Sequence, residues 1–198
     1  MTLNKKKYDA NFTAAGLLYS EFIAIKDILL CDSFEETIKL EAKENKLLQI
    51  PTQAARKRII LEIRRRQKYA PSDFWNNFFE WDEKEQKLGL LFLCLKTYPL
   101  MFDFHVEITL KKYNIGSSLD AYDITMRLDE LSTQYENVAT WTDRTKSDLN
   151  SKYRKVIKEA GLYDGKNLTK PANIHTEFWS YFSNISETWF LEACFQKR

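Results

Sequence analysis

The chain has 198 residues, with 30 Lys and Arg against 28 Asp and Glu, a formal net charge of +2 and 44% hydrophobic residues. This balance excludes both a polybasic tail protein and a disordered chain. With only 5 Gly and 4 Pro it lacks the turn residues of a sandwich or barrel and the clustered glycines of a nucleotide-binding loop.

In chain order, Leu17, Leu18, Phe22, Ile25, Ile28 and Leu29 fall on a 3.6-residue period, which predicts a first helix over 13–30 capped by Thr13. Ser33 with Glu36 has the form of a capping box and starts an acidic helix running to about Asn45. Pro51 pushes Ile50 out of the α region, and Thr52 caps a helix from Gln53 to about Lys68. After the Ala70-Pro71-Ser72 break, the aromatic run 73–81 is expected to form a helix that packs two lobes together. Its aromatic residues read as core rather than as a base-stacking platform.

The segment from Gln86 to Tyr98 is the most apolar and is expected to be the central core helix, ended or bent by Pro99, with another helix from Phe102 to about Tyr113. Residues 114–118 read as a loop and a lobe boundary, giving lobes 1–113 and 114–198. Helices follow at Asp120–Tyr135 and Trp141–Gly161, then a short hairpin at 162–171 and a helical region over 174–195. The fold class expected is therefore mainly α: two helical lobes with helix-turn-helix-like units and a small β-hairpin wing near 162–171.

The longest apolar run, Leu88–Leu95, is far short of the roughly 20 residues a membrane span requires. The Lys5-Lys6-Lys7 cluster is not followed by an apolar leader segment, so a cytoplasmic protein with no membrane partner is expected. Cys31, Cys94 and Cys194 have no metal-ligand spacing to one another or to His105 and His175; they read as thiols of a reducing compartment, and no metal or cofactor is expected. Asp103 and Glu107 lie two residues from His105 and do not stack on it in a helix, so no catalytic group is assigned and a non-enzymatic role is expected.

Two segments carry chemistry suited to nucleic acid. In 145–160, Leu149, Tyr153, Val156, Ile157 and Ala160 form one apolar stripe, while Ser147, Ser151, Arg154 and Lys158 recur on the opposite face with Lys155 beside them. Gly161 ends the helix, and Asp164-Gly165 then marks a tight hairpin carrying Lys166. Helix, helix and basic hairpin is the order of a winged helix-turn-helix, in which the second helix enters the major groove. The competing reading is an ordinary solvated helix face.

In 53–68, Lys57, Arg58, Arg64 and Arg65 share an arc opposite Ala55, Ile59, Ile60 and Ile63, although Leu61 interrupts it. Arginine suits phosphate and guanine because its fork binds two acceptors. Here the competing reading is neutralisation by the acidic helix 33–45 alongside.

Four stretches stand in a fixed order: Tyr8-Asp9-Ala10-Asn11-Phe12-Thr13-Ala14-Ala15-Gly16-Leu17-Leu18, Thr52-Gln53-Ala54-Ala55-Arg56 through Ile63-Arg64-Arg65-Arg66, Leu95-Lys96-Thr97-Tyr98 followed by Asp103-Phe104, and Trp141 with Thr145 and Leu149, running to Glu159-Ala160-Gly161-Leu162. Together they resemble the BrxA family of bacterial BREX anti-phage defence systems. The likeness covers about residues 8–171.

It implies a non-enzymatic, largely α-helical protein reminiscent of the NusB antitermination factor that binds double-stranded DNA. It also implies BREX partners: a DNA methyltransferase, a phosphatase-like protein and an ATPase. The expected function is a DNA-binding accessory protein of a defence system. The alternatives are a protein-interaction scaffold using its aromatic-acidic face, or a NusB-like RNA-binding protein. No family contact residue transfers by motif, so the DNA-binding candidates rest on the helix faces alone.

Overall fold

The computed structural model describes residues 8–14 and 16–196; the Lys5–Lys7 cluster lies outside them. A 3₁₀ turn at Asn11–Ala14 leads into α1 (Tyr19–Ala24), α2 (Lys26–Leu29), α3 (Phe34–Glu44), α4 (Gln53–Gln67), α5 (Phe74–Glu80) and α6 (Glu83–Thr97). Then come α7 (Pro99–Phe104), a π-helical segment (His105–Leu110), α8 (Lys111–Asn114), α9 (Ala121–Gln134), α10 (Glu136–Ala139), α11 (Asp143–Glu159), α12 (Thr176–Asn184) and α13 (Trp189–Ala193). The fold is mainly α, with no sheet among the described residues. No helix among them is long and apolar enough to cross a membrane.

Helix α6 is the axis of the core: every residue from Leu88 to Leu95 is buried. A helix apolar on all sides must be surrounded, and α4, α5, α7, α1 and α11 all pack against it. Gly89 lets Trp81 lie on the helix backbone, since a Cβ there would sit 2.8 Å from the Trp81 ring. Asp82 and Glu85 form a full capping box that starts α6 three residues before the expected Gln86.

The aromatic run 74–81 faces inward. Phe74, Trp75 and Phe78 are buried, with Phe22 stacked on Trp75 and Trp81 edge-on to Phe178 and Tyr181. Helix α5 thus joins the first helices to the C-terminal pair α12–α13, which adds Phe182 and Phe190 around Phe92. The aromatic half of the face expected of a scaffold is therefore turned into the core, while its acidic residues Asp73 and Glu80 stay exposed.

Four expectations are corrected. The first helix does not run from 13 to 30. Thr13 bonds the Ala10 carbonyl instead of capping, and Leu18 takes a left-handed φ of 62°, so regular helix starts only at Tyr19 and breaks again at Ile25. The cause is distant: the Arg66 side chain captures the carbonyls of Gly16 and Leu17, each at 2.7 Å. Ser33 stands before α3 but makes no capping bond; its hydroxyl pairs with Cys31 Sγ at 3.0 Å.

Pro99 occupies the first turn of α7, where it costs no hydrogen bond. From there to Asn114 the chain is one rod with a π segment, not a helix beginning at Phe102. The wing at 162–171 is reduced to one isolated antiparallel bridge, Tyr163–Leu168. Asp164 closes its turn by accepting from the amides of Lys166 and Asn167, both at 2.7 Å.

Candidate nucleic-acid interface

Helix α11 is built as its pattern requires. Thr142 caps it by accepting from the Thr145 amide at 3.2 Å, and Gly161 at φ 80° ends it. Leu149, Tyr153, Val156 and Ile157 are fully buried. Tyr153 also anchors the inward edge: its hydroxyl donates to His105 Nδ1 at 3.1 Å and accepts from Thr109 at 2.6 Å. His105 Nε2 donates to the Ala193 carbonyl at 2.8 Å, which fixes the neutral tautomer. Burial pushes the His105 pKa down to about 4, against an ordinary 6.5.

The outward edge of α11 carries Ser147, Ser151, Lys155 and Lys158, all exposed. Arg144 joins them, unnoticed in the sequence because it precedes the apolar stripe, and it forms no ion pair among the described residues. Lys155 stands 3.5 Å from Glu159. Arg154 is half-buried, and its Nε donates to Asn150 Oδ1 at 2.9 Å. It lines a groove of about 440 Å³ between α9 and α11 with Ser147 and Ser151. Lys166 lies exposed at the tip of the turn beyond the helix.

Helix α4 is capped by Thr52, which accepts from the Ala55 amide. Lys57 and Arg58 are exposed and make no ion pair among the described residues. Arg64 bonds Glu35 of α3 through both Nε and Nη2, and Arg65 pairs with Glu62 on its own helix. Arg66 is fully buried: besides the two carbonyls it donates to the Tyr98 hydroxyl, and Tyr98 donates to the buried Glu62. Burial opposes the Arg66 charge, but Cys94, Tyr98 and Glu62 more than offset it and raise its pKa. Of the four predicted cations on α4, only Lys57 and Arg58 are thus unengaged. Leu61 sits exposed among them.

The two helices are neighbours. Both pack on the 3₁₀ turn, and a hollow of about 420 Å³ is lined by Arg58 and Arg65 from α4, Asp148 from α11, and Asn11 and Thr13 between them. That hollow joins α4 to the Asp148 flank of α11, whereas Ser147, Ser151 and Arg154 line the groove toward α9.

Elsewhere, Cys31 is exposed, while Cys94 and Cys194 are buried. Asp82, Glu85 and His175 converge closely enough to bind a metal. Their contact has a structural use, since Glu85 accepts from the amides of Asp82 and His175 and from His175 Nδ1.

A sequence model of the BrxA family matches residues 6–185. The chain belongs to the BrxA family. It is similar to the BREX protein BrxA of Bacillus cereus (strain H3081.97), with 26% identity over 161 residues, covering 80% of each chain. The fold also resembles the crystal structure of an uncharacterized protein from Magnetospirillum magneticum, at a TM-score of 0.81 and 18% identity, covering 96% of this chain and 98% of that one. BrxA membership carries a defence-associated role.

Proposed function

We propose that this BrxA-family chain is a non-enzymatic accessory protein that docks on double-stranded DNA within a BREX-type defence system. In this reading α9 to α11 act as a helix-turn-helix-like unit, with α11 in the major groove. Lys57 and Arg58 of α4, together with Lys158 and Lys166, neutralise phosphates.

The supporting observation is that Lys57 and Arg58 of α4 and Arg144, Lys155 and Lys158 of α11 are all exposed, and of these only Lys155 has an ion-pair partner among the described residues. The methyltransferase, phosphatase-like protein and ATPase of such a system are the protein partners proposed, and the cytoplasm the location. The lobe division at 113/114 belongs to the same reading, with the α11 lobe as reader and the α4 lobe as clamp. An RNA target is the second reading, which the same cationic edges allow.

The test is fluorescence anisotropy with a short labelled duplex at two salt concentrations. Phosphate binding weakens by orders of magnitude between about 50 and 200 mM salt, in proportion to the contacts made. Ser151→Glu with Lys158→Glu is expected to abolish duplex binding while circular dichroism stays unchanged. Salt-insensitive or unaltered binding would sink the proposal, and competition by RNA but not by DNA would move it to the second reading.

A further inference from the structure

Asn150 is a buried polar residue of α11, 6% exposed. Its side chain faces α9, where Nδ2 donates to the Ala121 carbonyl at 2.7 Å and to Thr125 Oγ1 at 3.2 Å. A carbonyl can only accept, so this bond fixes which end of the amide points at α9. The Oδ1 end is left for Arg154, one turn along the same helix, whose Nε donates to it at 2.9 Å.

A joint between two helices needs only the Nδ2 half of this amide. The Oδ1 half holds one edge of a guanidinium. Arg154 forms no ion pair among the described residues, and neither of its Nη groups has a hydrogen-bond acceptor there. Neither Nη is a buried atom left unsatisfied, so both reach solvent, on the side of the groove of about 440 Å³ that Arg154 lines with Ser147 and Ser151. Arg64, Arg65, Arg66 and Arg127 instead commit their Nη donors to carboxylates or carbonyls. Arg154 is thus a planar fork held at its base and open at its tip. Such a fork loses less side-chain freedom when it binds.

An open fork receives a pair of acceptors on one edge. Phosphate and guanine both present such a pair, and the groove favours one of them. Its charged lining is Arg154 and Lys146 against Asp129 and Asp143, with Lys146 already 3.3 Å from Asp129. A lining balanced in this way gives a phosphate no net attraction, while the neutral edge of a base meets no repulsion. We infer that Arg154 reads the O6 and N7 edge of a guanine in the major groove, and that Asn150 is the positioning residue that aims it. The inference rests on the duplex reading above, to which it adds a source of sequence preference.

The experiment is fluorescence anisotropy with two duplexes of equal length and charge, one carrying guanine and the other 7-deazaguanine, which lacks the N7 acceptor. The parent protein is expected to prefer the guanine duplex by about tenfold, within the discrimination of one good bidentate pair. Arg154→Gln and Asn150→Ala are expected to erase that preference. The slope of log affinity against log salt is expected to stay unchanged, because a base contact neutralises no phosphate. Asn150→Asp keeps an acceptor for Arg154 Nε and loses the donor to α9, so it is expected to retain the preference while melting earlier. If Asn150→Asp is instead as defective as Asn150→Ala, the positioning role is overturned and Asn150 is a joint only. Arg154→Gln removes no bond between helices, so it carries the test even where Asn150→Ala fails to fold.

Equal affinity of the parent for the two duplexes overturns the inference, as does a preference that survives Arg154→Gln. So does a fall of about one in the salt slope of Arg154→Gln with both duplexes weakened alike, which makes Arg154 a phosphate contact. In each of these cases salt-dependent binding by the parent leaves the duplex proposal standing. Absence of any duplex binding by the parent fails both.

Discussion

Helices α4 and α11 carry similar numbers of cations and dispose of them differently. On α4, Arg64 is held by Glu35, Arg65 by Glu62, and Arg66 is enclosed with Glu62, Tyr98 and two loop carbonyls. On α11 the apolar stripe and Tyr153 make the inward contacts, and the outward lysines are left at the surface. The difference teaches that a count of positive residues says little about affinity for an anion. What decides is whether a carboxylate or carbonyl from a neighbouring element already lies within reach, which depends on tertiary packing.

The largest expected effect tests the inward character of α4. Arg66→Met leaves the Gly16 and Leu17 carbonyls without their donor, and each buried acceptor left unsatisfied costs about 1–3 kcal/mol. Urea unfolding is expected to show a destabilisation of about 2–6 kcal/mol. A change below about 1 kcal/mol would show that α4 does not depend on its buried arginine.

Next is the inward edge of α11. The folded-state pKa of His105, about 4, lies below its ordinary 6.5, so between those values the unfolded chain binds more protons. The stability this supplies is complete above about pH 6.5 and drains away as the pH falls, the deficit reaching about 3 kcal/mol at pH 4. The expected observation is a shallower stability–pH curve for His105→Gln than for the parent over this window. Parallel curves would remove His105 from the account.

A smaller effect separates the outward faces. Lys57→Glu with Arg58→Glu is expected to reduce the slope of log affinity against log salt by about one for each phosphate no longer neutralised, without altering sequence preference. Arg64→Ala is expected to change neither duplex affinity nor stability by more than about 1 kcal/mol, because its pair with Glu35 is solvent-exposed. A strong binding defect in Arg64→Ala would erase the contrast between the two helices.

Much of the helical framework was legible in the residue pattern because its signals are local. Thr52 caps where expected, Gly161 ends α11, and the unbroken apolar run marks the central helix. The break in the first helix was not legible: nothing within 13–30 announces that an arginine about 50 residues later will seize the Gly16 and Leu17 carbonyls. Ser33 illustrates the converse, a capping motif whose hydroxyl finds Cys31 instead.

The candidate interface was legible on α11, where one helix supplies the whole face. It was only half legible on α4, where the state of each arginine depends on Glu35 or Glu62.

The clasp of α12 and α13 over the central helix has a consequence for how the protein is made. Phe92 cannot acquire its neighbours Phe182 and Phe190 until nearly a hundred further residues have been synthesised. On the ribosome, therefore, the nascent chain carries an unsealed aromatic cleft through much of its synthesis, and contacts this distant in sequence form slowly. Chaperone dependence during translation should accordingly fall at the moment the last aromatic segment emerges from the exit tunnel.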